Sequence, residues 1–174
     1  MSVKITNTED EKELEVRITN FYENILNIIE VQGWYAVDVG PDMPGNIPNF
    51  IYTVGLYSSF GKPEIFISGL PHGIDRKIIN YLANKLSSPD YHIELFTKID
   101  NLFENSPAMF IPLPNEKTSI LHVANKLYED NFKVYQLVWS DSNGVFPWED
   151  EFSKDLKDSQ YIIGNINKDL VKDN

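Results

Sequence analysis

Few side chains in this chain carry groups that could move a proton, hold a metal or attack a substrate. Cysteine is absent, which removes disulfides, thiolate ligands and thiol nucleophiles. His72, His92 and His122 are the three imidazoles. None is read as standing at zinc-ligand spacing from a second histidine or a carboxylate, so neither a metal centre nor a cofactor is expected. No Gly-x-Ser-x-Gly elbow occurs. Gly55-Leu-Tyr-Ser-Ser-Phe-Gly61-Lys62 resembles a phosphate-binding loop, but it has five residues between its glycines and Pro63 after the lysine. It also leads into a strand, where a phosphate cradle needs a helix N-terminus, so the loop is read as a connection.

Three places remain. Glu64 stands at the mouth of the strand-like Ile65-Phe66-Ile67, where burial would shift its pKa as in general acids and bases, or where it accepts hydrogen bonds from a neighbouring turn. The turn is the favoured reading. His72 lies in Gly69-Leu-Pro-His-Gly-Ile, between a strand and a helix, where a loop imidazole either serves a site or simply meets solvent. The third is Tyr135-Gln-Leu-Val-Trp139 running through Asp141-Ser-Asn-Gly144 to Phe146-Pro-Trp148. Asp141 can bond the backbone of a tight turn and Asn-Gly tolerates positive φ. Burying Phe146 and Trp148 is worth a few kcal/mol, so the stretch reads first as a structural corner and second as a ligand pocket.

The elements that must position these groups follow from periodicity. Thr8-Glu9-Asp10-Glu11 has the form of a capping box. Leu14, Ile18, Phe21, Tyr22, Ile25, Ile28 and Ile29 then form one helical stripe ending near Gly33. Strands are expected at 34–39, 50–56, 64–70, 91–97, 108–112 and 135–139, with helices at 74–86 and 118–130. The loop 40–48, rich in Gly, Pro and Asn, is expected to be exposed and mobile. The 50–56 and 64–70 strands are close enough to pair antiparallel. Helix, three strands, helix, two strands, helix, strand is not an alternating pattern. We read a single α+β domain over 1–174, with a mostly antiparallel twisted sheet and about three packed helices. Its core spans about 8–150, and the polar tail 151–174 is expected to be loosely held.

A hydrophobic content of 42% with 13% aromatics is that of a folded domain. No apolar run approaches the roughly 20 residues that cross a bilayer, and the first residues lack a signal-peptide core. A soluble, cytoplasmic protein is expected. The net charge of −11 opposes direct nucleic-acid binding, because duplex affinity rests on neutralising phosphates. It suits a basic protein partner, mimicry of nucleic acid, or plain solubility.

Tyr52-Thr-Val-Gly-Leu56, Pro63-Glu-Ile-Phe-Ile-Ser-Gly-Leu70, Gln136-Leu-Val-Trp139-Ser-Asp141, Gly144 and Phe146-Pro-Trp148 together resemble a bacterial family catalogued as domain of unknown function 4262. The likeness runs from about Gly33 to Trp148. That family often has Trp-Pro-Asp where this chain has Trp139-Ser-Asp141, and His or Arg where it has Lys62. The resemblance implies a compact α+β domain with Tyr52, Glu64, Gln136, Asp141 and Trp148 as a shared constellation, and it supplies no reaction. Two functions stay open. The first is a non-catalytic, protein-binding module of immunity, antitoxin or defence type. The second is a small-molecule or enzymatic site where Tyr52, Glu64, His72, Asp141 and Trp148 converge, the aromatics stacking a ligand while Glu64 or His72 exchanges a proton.

Overall fold

A computed structural model describes residues 8–41, 46–129 and 131–172. Its six strands are β1 (Tyr35–Val39), β2 (Phe50–Val54), β3 (Glu64–Ser68), β4 (Lys98–Phe103), β5 (Ser106–Leu113) and β6 (Val134–Trp139). They form one sheet in the order β1-β2-β3-β6-β5-β4. Only β3 and β6 run parallel; every other neighbouring pair is antiparallel. The helices are α1 (Thr8–Gln32), α2 (Leu56–Phe60), α3 (Ile74–Leu86) and α4 (His122–Tyr128). The protein is thus a single α+β domain with a mostly antiparallel sheet.

β2 and β3 are buried along their whole length, which explains why both read as apolar runs without polar alternation. Their side chains alternate between two cores. Ile51, Ile65 and Ile67 pack under Ile79, Leu82 and Leu86 of α3. Phe50, Tyr52 and Phe66 pack on the opposite face with Val123 and Ala124 of α4 and Ile25 of α1. The apolar stripe of α1 continues well beyond this contact. Every residue from Thr8 to Phe21 is exposed, so the N-terminal half of the helix overhangs the sheet.

Four expectations meet a different local structure. The β2–β3 connection holds a short helix, α2, closed at both ends by glycines in the left-handed region, Gly55 (φ 107°) and Gly61 (φ 63°). The segment 91–97 is not a strand; it makes two isolated bridges, Leu95 to Phe110 and Thr97 to Lys172, and the strand comes later as β4. The Lys62 ammonium takes the carbonyls of Pro89 (3.2 Å) and Tyr91 (2.8 Å), and Phe96 at φ 59° breaks the extended path. The helix expected at 118–130 is a 3-10 turn over Asn115–Ile120 followed by α4, because Leu121 (φ −89°, ψ 63°) interrupts the helical path. Its last expected residue, Asp130, lies outside the described residues, as do 42–45 of the loop expected to be mobile.

The segment after Asp150 also differs from the loose tail expected. Phe152 and Ile163 are buried, and two glutamines fasten the chain across the sheet. Gln136 on β6 accepts from the Ile163 and Gly164 N–H groups through Oε1 and donates to the Tyr161 carbonyl. Gln160 reaches back to β6, donating to the Trp139 carbonyl at 2.7 Å and accepting its N–H at 3.1 Å. The approach is close enough that a Cβ at Gly69 would stand 1.7 Å from the Ser159 carbonyl oxygen. Gln136→Ala strands two N–H groups and a carbonyl, so it should cost about 2–3 kcal/mol in urea unfolding and open the 151–172 segment to limited proteolysis. An unchanged midpoint and cleavage pattern would show that this side chain does not hold the segment.

Candidate functional site

Glu64 begins β3 with its side chain fully buried. Its Oε2 accepts from the Thr53 hydroxyl at 2.6 Å. Its Oε1 accepts from the N–H groups of Gly55 (2.9 Å) and Tyr57 (3.0 Å) and from the Tyr128 hydroxyl (2.8 Å). Thr53 in turn accepts the Ile65 N–H. Burial raises the Glu64 pKa, and the four donors offset that rise only in part. The phenol of Tyr128 is raised as well, by its own burial and then by the Glu64 charge. With every oxygen engaged inside the core, this carboxyl joins β2, α2, β3 and α4, the hydrogen-bonding role favoured from the sequence.

The other expected residues are placed separately. The Tyr52 hydroxyl is buried and accepts the Val123 N–H at 3.1 Å. Gln136 is spent on the C-terminal segment. Asp141 Oδ1 accepts from Asn143 (2.9 Å) and Val145 (3.0 Å), and Oδ2 from Ser153 (3.1 Å). Burial alone would raise its pKa, but these backbone N–H groups outweigh it and the net shift is downward. Trp148 stacks on Phe146 with centroids 4.9 Å apart and planes 8° from parallel. The Asp141 carboxyl thus closes the turn on itself and ties it to Ser153.

Residues 28–153 match the family described as Domain of unknown function (DUF4262). The chain belongs to this family. Among curated proteins and solved structures, none matches it. The matched region of this DUF4262 protein includes the Glu64 joint, the Asp141 turn and all six strands. It excludes the overhanging half of α1 and the segment fastened by Gln160. Lys62 is almost fully buried and holds backbone carbonyls.

His72 takes another course. Its Nδ1 lies 3.6 Å from Asp38 Oδ2 at the end of β1, and the side chain is largely exposed. Asp75, at the start of α3, completes a group in which one ligand atom of each residue lies within 4.8 Å of the others. The sequence reading missed this group. His72 and Asp75 stand three positions apart, a local signal passed over, while Asp38 arrives only through the packing of β1 beside α3. A largely apolar cavity of about 470 Å³ opens between α1, β1, β2 and α4, lined by Phe21, Tyr22, Val37, Phe50, Tyr52 and Ile120 among others, and Asp38 belongs to its lining as well. Of the residues expected to share a site, Tyr52 alone lines it.

The two shifted carboxyls pull stability in opposite directions. Because the folded state holds the Glu64 proton more tightly than the unfolded chain, stability is full below the ordinary carboxyl range and falls as pH rises through the raised value. Asp141 contributes stability above the ordinary value that is lost as pH falls through its lowered one. Glu64→Gln should therefore remove the decline on the alkaline limb of urea unfolding measured across pH 3–9, and leave the acid limb in place. Identical profiles for the two proteins would mean that Glu64 ionises without cost.

Proposed function

We propose that this protein is a non-catalytic binding module that engages a basic protein partner along α1. The observation that carries the reading is the unpartnered apolar stripe of that helix. Leu14, Ile18 and Phe21 are 57%, 49% and 45% exposed and continue, at four- and three-residue spacing, the line on which Ile25 enters the core. Covering the exposed half of these three side chains is worth roughly 0.8–1.5 kcal/mol each, a contribution toward the cost of association. The apolar cavity beside Phe21 gives a partner side chain somewhere to anchor.

Charge decides what kind of partner fits. α1 carries Glu9, Asp10, Glu11, Glu13, Glu15, Glu23 and Glu30 against Lys12 and Arg17, a net −5 on one helix. A second copy would bring the same charge to the contact, whereas a basic amphipathic segment is attracted and steered to it. The four-residue spacing from Glu13 to Arg17 gives one exposed ion pair at 2.7 Å, and among the described residues the other acids of the overhang form no salt bridge. A small apolar ligand in the 470 Å³ cavity is the second reading, since that volume lies in the usual range for ligand sites.

Ile18→Glu combined with Phe21→Glu tests the proposal without touching the core. The double variant should melt at the wild-type temperature, and a stoichiometric basic protein captured by wild type from native extract at low salt should be lost. Capture unaffected by the substitutions, or sedimentation of the purified chain as a dimer through α1, would overturn the reading. A small mass retained in native mass spectra without any protein partner would transfer the assignment to the cavity.

A further inference from the structure

We propose that Asp38, His72 and Asp75 form a binding site for a divalent transition-metal ion. The three come from separate places: Asp38 from β1, His72 from the loop after β3, and Asp75 from the first turn of α3. Each offers an atom within 4.8 Å of the others, and among the described residues this is the one such grouping. Proximity of charged groups on a surface is common, so it does not by itself make a site.

The second observation is Asp75. The residue is 1% exposed, and its Oδ1 accepts the N–H groups of Gly73 (2.9 Å) and Arg76 (2.6 Å). Its Oδ2 is buried and has no hydrogen-bond partner. Among the described side chains it is the one buried oxygen or nitrogen left so. A buried acceptor without a donor is costly, more so for a carboxylate, and a bound cation removes that cost. The two backbone bonds hold Oδ1 and leave Oδ2 without a partner among the described residues, an arrangement like that by which surrounding hydrogen bonds orient a metal ligand.

The donor set selects the ion. One imidazole nitrogen with two carboxylate oxygens suits Zn²⁺, Mn²⁺ or Co²⁺ better than Mg²⁺ or Ca²⁺, which prefer oxygen alone. Three protein ligands leave at least one coordination position for water or an incoming group. Two features oppose a cation. Arg76 sits 3.4 Å from Asp38 Oδ2, and the N-terminus of α3 carries a partial positive charge. Arg76 is long, partly exposed and loosely paired, so it can swing away as the ion takes Asp38. The two carboxylates outweigh the helix end, which is equivalent to about half a charge.

Titration of the full chain, first stripped with chelator, decides the matter. Zn²⁺ should bind at one equivalent by calorimetry, and Co²⁺ should give visible absorption bands whose intensity saturates at the same ratio. His72→Ala leaves an exposed position and should not alter folding, yet it should weaken binding by at least the 10–100-fold that loss of a supporting contact alone produces. Asp38→Asn should weaken it similarly. No binding by wild type, or binding that both variants retain unchanged, would overturn the site; the latter would place the ion on the acidic surface at large.

Discussion

A carboxyl group with no basic side chain among its hydrogen-bond partners is held at the heart of this fold by hydrogen bonds alone. Glu64 gathers a threonine hydroxyl, two backbone N–H groups and a tyrosine hydroxyl. Those donors belong to the end of β2, both sides of the α2 entry, and α4. None of them could be buried at low cost without an acceptor. The geometry of four elements therefore depends on one side chain. Gly55 must adopt a left-handed conformation to aim its N–H inward, and a Cβ there would also collide with the Gly33 carbonyl and the Trp34 backbone. The strand, the tight turn and the short helix are parts of one hydrogen-bonding solution.

Amide side chains extend the same principle to the segment after Asp150. Gln136 and Gln160 behave as substitutes for a missing strand: Gln136 presents a donor and an acceptor to the backbone of residues 161–164, and Gln160 returns a donor and an acceptor to the Trp139 backbone of β6. Ser68 adds an exchange with Tyr161, donating to its carbonyl and accepting its N–H. This explains how a segment rich in Lys, Asp and Ser is held in place. Its Lys and Asp side chains remain in solvent while backbone groups are satisfied by the sheet, and Phe152 and Ile163, with the partly buried Tyr161, Ile162, Ile166 and Val171, supply apolar burial.

What could be read from residues alone follows from how local each signal is. β2, β3 and β6 announce themselves as apolar runs, and α3 as a helical stripe whose bounds the structure reproduces. α2 is too short to show a period. β4 is interrupted by Asp100 and Asn101, the latter at φ 66°, so it lacks the alternation that marks a strand. At the candidate site, Glu64 is conspicuous because an acid stands where a strand should be apolar, and Asp141 because its neighbours spell a turn. The amide partnership of Gln136 with residues 161–164 and the meeting of Asp38 with Asp75 depend on contacts across the fold, which no window of sequence contains. Their signal is tertiary.

The single parallel pairing has consequences in time as well as space. β3 finds its partner only when Val134 and its successors reach Glu64, after two helices and two further strands have been laid down. Until then the inner edge of β3 offers unpaired N–H and C=O groups flanked by isoleucine and phenylalanine, which invites other strands. A chain emerging from the ribosome would have to shield that edge while most of the remaining domain is made. Sheets closed by such distant pairs assemble slowly because loop entropy must be spent before contacts reward it. In this protein, sheet order leaves one edge of β3 open until most of the domain has been made.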